Sequence, residues 1–264
     1  MTAILLTPTD LVIAASLIVA DGALSLLLGL QLHRALLVAT IRLVVQLLLV
    51  GLVLRIVFAA ASPAVTLLVI VLMGAVAARE VGARPERKLG RFGTYMIGGA
   101  VVAGATGITA VLALTTAVRP HPWWDPHYAI PLTGIILGSV LNAGSLTLDG
   151  VLGGVARERA AIEARLALGS SYRDAIRPLV RASIRRGMLP VINQMSAAGL
   201  VTLPGIMTGQ ILAGLDPVEA VKYQILLMFL LAGSSGLAAV GVALAAAWRL
   251  TDERQRLRLD RLIG

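Results

Sequence analysis

Long apolar runs alternate with short polar, arginine-rich connections along almost the whole chain. A helix needs about 20 apolar residues to cross a hydrocarbon core of about 30 Å, and runs of that length recur. About seven spans are predicted on this criterion, at about Leu11–Leu30, Ala35–Phe58, Ala64–Ala78, Tyr95–Val118, Ala129–Leu148, Leu189–Ala213 and Val221–Trp248. The runs are too long and too evenly apolar for barrel strands, whose positions alternate between lipid and lumen. The fold class is therefore predicted to be all-α: a polytopic membrane helix bundle, one transmembrane domain over residues 1–264 with no visible repeat or linker. The third run starts at Pro63 and is short, so its helix is expected to continue through Arg79 and Glu80. No basic segment precedes the first run, and the first arginine is Arg34, so no cleavable signal is expected.

Charge then orients the spans. Only 14% of residues are charged, well below the share in an ordinary soluble domain. A net charge of +9 can indicate nucleic acid. In a chain this apolar it reads instead as charge placed across a bilayer, and no nucleic-acid partner is expected. Arg34, the group Arg79, Arg84, Arg87, Lys88 and Arg91, the group from Arg157 to Arg186, and the tail group Arg249, Arg254, Arg256, Arg258 and Arg261 all fall on one side of the predicted spans. Only Arg55, Arg119 and Lys222 fall on the other. Positive charge is kept in the cytoplasm, so the N-terminus is expected outside and the C-terminus inside. Trp123, Trp124 and Tyr128 would form the outer aromatic belt. With no cysteine, disulfides and thiolate metal sites are excluded.

Polar residues inside the spans are the candidates for function. Asp21 and Arg42 lie at similar distances on either side of the first turn, near residue 32, which predicts a mutual ion pair; a substrate or proton role for Asp21 is the lesser reading. Gln46 follows one turn after Arg42 on the same face, where it would bond to the pair or line a path. Gly134, Gly138 and Asn142 share a face of the fifth span, as Gly99, Ala103 and Gly107 share one of the fourth, which predicts close helix packing. Asn142 would then bond across helices or face a translocation path. His121, Asp125 and His127 cluster in the outer loop, where a proline-rich turn is the plainer reading than a metal site.

The stretch from Arg157 to Gly214 is the most informative. Ala156 to Leu168 reads as a helix, ended by Gly169. A second helix starts near Ser171, which can cap against Asp174, with Tyr172, Ile176, Leu179 or Val180, Ile184 and Met188 on its apolar face. A hairpin of this kind can simply lie on anionic lipid. It leads into LPVINQMSAAGLVTLPGIMTGQILAG, an apolar span broken by Pro190 and Pro204-Gly205. Asn193, Met195, Met207, Thr208 and Gln210 are its candidate path residues, and freed backbone carbonyls at membrane depth are tolerated only beside protein or water.

Glu163-Ala164, four further residues and Gly169 match the spacing of the coupling loop of ABC-transporter permeases. The hairpin and sixth span together, with Arg42, Gln46 and Gly51, with Pro131, Gly134, Gly138, Asn142 and Leu146, and with Leu203-Pro204-Gly205, Met207-Thr208-Gly209-Gln210, Gly214, Pro217 and Tyr223-Gln224, resemble the Fet-type iron-export permease family of bacterial ABC transporters. Plant relatives linked to aluminium tolerance belong to the same family. Ile206 stands where a second Met is common, and Ser139 where Asn is.

The resemblance implies a permease subunit of the bacterial plasma (inner) membrane that exports iron or another metal ion. It would work as a homodimer with two copies of a separate ATPase docked on Glu163, Ala164, Gly169, Ser170 and Tyr172. No phosphate-cradling Gly-x-x-x-x-Gly-Lys-Ser/Thr loop occurs in the chain, so ATP hydrolysis belongs to a partner and no cofactor is expected. The competing reading is a secondary transporter or channel. It would call for inverted repeats and acids along a path, and neither is visible beyond Asp21.

Overall fold

The computed structural model describes residues 7–90 and 92–263. Arg91, one of the basic residues expected on the inner side, lies outside the described residues. The elements run α1 (Pro8–Leu27), α2 (His33–Ala60), α3 (Pro63–Ala83), β1 (Lys88–Leu89), α4 (Gly93–Leu112), α5 (Pro126–Arg157), α6 (Arg159–Ala167), α7 (Tyr172–Ala197), α8 (Gly205–Leu212), α9 (Pro217–Arg249) and β2 (Leu262–Ile263). A π-helical segment, Ala113–Val118, prolongs α4. Helix starts follow local chemistry. Proline occupies the first turn of α1, α3, α5 and α9, where its missing N–H is not needed. Asp125, Ser171 and Asp216 accept backbone N–H groups at the starts of α5, α7 and α9.

Among the described residues, six helices are long and apolar enough to cross a membrane: α1, α2, α3, α4 with its π-helical extension, α5 and α9. The chain is a multi-pass helical membrane protein. As expected, α3 continues past Arg79 and Glu80. The predicted sixth span, Leu189–Ala213, is not one helix. Its first part is the end of α7, which begins far back at Tyr172, and its second part is the short α8. The expected break at Pro190 is absent, because α7 passes through both Pro178 and Pro190. The break falls instead at residues 198–204, where Ala198 turns extended, Gly199 takes φ +85° and Pro204 lacks a donor.

The chain gathers into two compact units, Met1–Ala61 with Leu212–Gly214, and Ser62–Ile211 with Leu215–Gly264. In the first, α1 packs on α2. Buried Ser25 closes their turn by accepting the N–H groups of Leu32 and His33 at 2.8 and 3.1 Å. Most leucines and valines of both helices face outward.

In the second unit, α5 is the central helix and packs against α3, α4, α7 and α9. Ile136, Val140, Leu148, Val151, Leu152 and Val155 of α5 are fully buried, against an alanine-rich face of α9 that includes Ala238, Ala239, Ala243 and Ala246. Of the expected glycines, Gly134 makes a close approach, since a Cβ there would meet the end of the Met73 side chain of α3 at 3.0 Å. A Cβ on Gly138 or Gly107 would meet nothing within 4 Å, and one on Gly99 would only touch Ala78 at 3.8 Å. Gly150 and Gly154 of α5 instead receive Ser183 and Leu179 of α7, and Gly187 of α7 lies against Ala143 and Thr147 of α5. Spacing fixed that some face would be lined with small residues; which face met a neighbour was a tertiary matter.

At one end of this unit three basic segments meet. β1, in the α3–α4 connection, pairs antiparallel with β2 of the C-terminal tail, and the Gly90 N–H donates to the Arg261 carbonyl at 2.8 Å. The Glu86 N–H reaches Asp149 of α5 at 3.3 Å. The α6–α7 hairpin joins the same end through Tyr172.

Candidate functional site

The hairpin is built as sequence chemistry dictates. Gly169, at φ +88°, turns the chain out of α6 while the Ser170 N–H donates back to the Arg165 carbonyl at 3.0 Å. The Ser171 hydroxyl accepts the Asp174 N–H and donates to the Asp174 carboxylate. Ile162, Ile176 and Leu179 are buried. The tip carries Leu168, which is 86% exposed, followed by exposed Gly169 and Ser170. Little of the Leu168 side chain is therefore covered by the described residues. Glu163 and Ala164 are exposed on α6, with Glu163 accepting from Arg159 at 2.9 Å across one helical turn.

Tyr172 is placed differently from its expected companions. It is 5% exposed and faces inward. Its hydroxyl donates to the Ala247 carbonyl of α9 at 2.9 Å, and its N–H donates to the Gln255 side chain of the tail, also at 2.9 Å. Burial pushes the phenol well above its ordinary range, so it remains a donor. Tyr172 therefore ties the base of the hairpin to α9 and the tail rather than presenting itself outward.

From Tyr172, α7 runs 26 residues without interruption to Ala197, about 39 Å at 1.5 Å per residue. Its far end opens into the break. There the Thr202 N–H bonds the Ala197 carbonyl at 3.1 Å and the Gly199 N–H bonds the Thr202 carbonyl at 2.9 Å. Beside the break lies a crevice of about 410 Å³ lined by Met195, Leu203, Pro204, Met207 and, from α9, Gln224 and Met228 among others. The Gln224 amide oxygen is buried and has no hydrogen-bond partner among the described residues. A buried carbonyl left unsatisfied costs about 1–3 kcal/mol, a cost that a site taking up a polar ligand can recover.

The structure sorts the remaining path candidates. Thr208, on α8, donates its hydroxyl to the Pro204 carbonyl at 3.1 Å. Gln210, also on α8, has a buried amide oxygen without a partner among the described residues. Asn193 is exposed on α7, and Gln46 is exposed on α2 in the other compact unit. Asn142 accepts from Arg84 at 3.4 Å and lines a second cavity, of about 220 Å³, with Ser139, Gln194 and Ser235. Ser139 and Ser235 share a hydrogen bond of 2.6 Å there. Asp21 and Arg42 both lie on exposed positions of the α1–α2 hairpin.

Gln224, Met228, Gln194 and Ser235 carry no expected role from the sequence, yet all line the two cavities. The signal available was spacing. Gln224, Met228 and Ser235 recur along one stripe of α9, and Gln194 precedes Met195. In the outer loop, Asp125 caps α5 through the His127 N–H at 2.9 Å, and this bond holds its carboxyl below the usual range. Among the described residues, no three His, Cys, Asp or Glu side chains converge as metal ligands. The crevice offers thioether sulfur and amide oxygen, donors suited to a passing solute rather than to a hard cation held tightly.

The uncharacterised protein family UPF0014 matches over residues 8–250. The chain is 37% identical over 230 residues to a UPF0014 membrane protein of Synechocystis sp., covering 87% of this chain and 88% of that protein. It is 31% identical over 257 residues, 97% of each chain, to the Escherichia coli protein named a probable iron export permease protein, FetB. It is 35% identical over 229 residues to the UPF0014 membrane protein STAR2 of Oryza sativa, covering 86% of this chain and 78% of that one. No solved structure matches the chain.

Proposed function

Because the chain belongs to the UPF0014 family of membrane proteins, we propose that it is the permease subunit of an ABC transporter, one that exports iron or another metal ion from a bacterial cell across the plasma membrane. In this reading the whole chain acts as one permease domain, and two copies assemble with two copies of a separate ATPase. The basic end faces the cytoplasm, where positive charge is retained, and the ATPase grips the exposed tip at Leu168, Gly169 and Ser170, flanked by Glu163 and Ala164. The relative named as a probable iron export permease supports both direction and substrate.

One observation carries the reading: a single unbroken helix, α7, joins the exposed tip to the break at residues 198–204. A push at the tip reaches the break with little loss because the helix is locked against α5 by Gly150, Gly154 and Gly187. The break has few tertiary supports, with Leu200 and Val201 more than 80% exposed, so it is the part that yields. Metal would then pass the crevice on transient amide and thioether contacts. Asp21 and Arg42 hold the first two helices together as an ion pair.

Since the chain has no cysteine, Ser170→Cys gives a single reporter. Co-expressed with an ABC ATPase encoded beside it, this variant should cross-link to the ATPase, whereas Trp123→Cys should not. Cells carrying both subunits should retain less iron than cells carrying neither. Absence of the cross-link, together with transport by the permease alone in proteoliposomes, would overturn the reading in favour of an ATPase-independent carrier.

A further inference from the structure

The basic end holds a second feature that the transport path does not use. Where α9 ends, a cavity of about 740 Å³ is lined by Trp248, Arg249, Asp252, Arg254, Arg256 and Arg261 among others. It presents four guanidinium groups against the carboxylates of Asp252 and Glu253. Asp252 is already engaged, accepting the N–H groups of Arg254 and Arg256 and the Arg256 side chain. Arg261 is fixed by donating to the carbonyls of Arg249 and Thr251. Arg249 and Arg254 have no side-chain partner among the described residues. The fold thus holds two guanidinium groups in place and leaves two more to act on an anion.

An apolar groove adjoins this cavity. It measures about 470 Å³, is lined by Leu89, Phe92, Met96 and neighbouring glycines, and shares Arg249 and Arg261 with the basic cavity. It lies where α4 begins and α9 ends, at the boundary of two membrane-length helices. Phe92, Met96 and Trp248 are each more than two-thirds exposed there. A charged recess joined to a greasy slot at the edge of the bilayer suits a molecule with an anionic head and a hydrocarbon tail. A soluble phosphate would leave the slot empty, and a protein partner would not need it to open at membrane depth.

We propose that this paired recess binds an anionic phospholipid, with the phosphodiester between Arg249, Arg254 and Arg261 and an acyl chain along Phe92 and Met96. Basic pockets beside transmembrane helices hold such headgroups by charge and hydrogen bonding. Because the same tail supplies β2 to β1 and Gln255 to Tyr172, the bound lipid would also brace the base of the hairpin. The inference does not depend on what the protein transports.

The test uses the full-length protein in nanodiscs of phosphatidylcholine with increasing phosphatidylglycerol, scored by lipids retained in native mass spectrometry and by thermal unfolding. Phosphatidylglycerol should be retained and should raise the unfolding temperature, while phosphatidylcholine alone should not. Arg249→Gln and Arg254→Gln should each weaken retention about fivefold, the equivalent of one juxtamembrane charge. Neither substitution removes a side-chain hydrogen bond or ion pair among the described residues, so each variant should unfold at the native temperature in phosphatidylcholine alone. Arg181→Gln plus Arg185→Gln, on the exposed face of α7, should leave retention unchanged. Equal loss from that control pair would show diffuse charge attraction and overturn the site. Full competition by inorganic phosphate or glycerol phosphate would show an anion site without lipid and overturn it too. Shielding of Arg254→Cys from thiol reagents by the ATPase, in discs without anionic lipid, would assign the recess to a protein partner instead.

Discussion

Gly187 is the position where the mechanical reading is most exposed to refutation. It lies midway along α7, facing α5, where a Cβ would come within 2.7 Å of the Ala143 carbonyl oxygen and closer still to the Thr147 hydroxyl. The Thr147 side chain can rotate away, but the Ala143 oxygen is backbone and cannot. Ordinary contact begins at 3.4 Å, so Gly187→Ala requires α7 to retreat from α5 by several tenths of an ångström along the crossing to which the proposed function assigns the transmission of movement. Overpacking of this kind costs about 1–3 kcal/mol. Alanine returns about 1 kcal/mol over glycine in a helix, which blurs a comparison with the native protein alone. Gly138→Ala removes that ambiguity: it gains the same helical preference and meets nothing within 4 Å. In reversible unfolding in mixed micelles, Gly187→Ala should be less stable than Gly138→Ala by about 1–3 kcal/mol. Substrate export should fall further than the loss of folded protein explains, because the lever would be loosened. Thr147→Ala added to Gly187→Ala should restore only part of the stability, since the carbonyl clash remains. If Gly187→Ala and Gly138→Ala proved equally stable, the close α5–α7 contact would be wrong and the coupling argument would lose its rigid element.

Four further outcomes are expected. Tyr172→Phe removes a buried hydrogen bond to α9 and should lower stability by about 1 kcal/mol, with ATP-driven transport reduced while ATPase binding, measured by pull-down, is kept. Asp21→Asn and Arg42→Gln should each impair folding yield in membranes, and the double variant should be closer to native than the sum of the two; a strictly additive double would dismiss the ion pair. Gln224→Leu should slow export without lowering the unfolding temperature, since it removes a buried, unpartnered carbonyl from the crevice, whereas unaltered export would take the crevice off the path. The Arg256 backbone N–H holds the Asp252 carboxyl below its ordinary value of 3.8. A lowered folded value means its stabilisation is present above that ordinary value and is lost as pH falls through the lower one. Proteolysis of the C-terminal tail should therefore be flat from pH 8 to 5 and quicken only in stronger acid, while Asp252→Asn should be cleaved faster from pH 8 to 5 and match the native protein in stronger acid.

What was readable in the sequence follows from how local each cause is. The Gly169 turn and the Ser171–Asp174 cap involve residues within five positions of each other, and both appear as expected. Spans α1 to α5 and α9 follow from apolar length alone. The family resemblance put Tyr172 among the docking residues, although the helical spacing also put it on the apolar face of α7; its hydrogen-bond partners, Ala247 and Gln255, lie more than 70 positions away. The glycine faces were legible only in part for the same reason, since spacing names a face and only packing decides where it is covered: Gly134 meets Met73 while Gly138 and Gly107 meet nothing within 4 Å. Pro190 and Pro204 show how environment decides the effect of one residue type. Proline in a helix frees the carbonyl four residues earlier. For Pro190 that carbonyl belongs to Arg186, an exposed position on the arginine-bearing face, where water can satisfy it and the helix survives. Pro204 has no such helix to interrupt. Gly199 has already turned the chain at φ +85° and exposed Leu200 and Val201 stabilise nothing, so proline there completes a break that glycine began. A membrane helix is thus broken by the loss of several supports at once, and the single prolines upstream, however conspicuous in the sequence, leave α7 continuous from Tyr172 to Ala197, as the proposed lever requires.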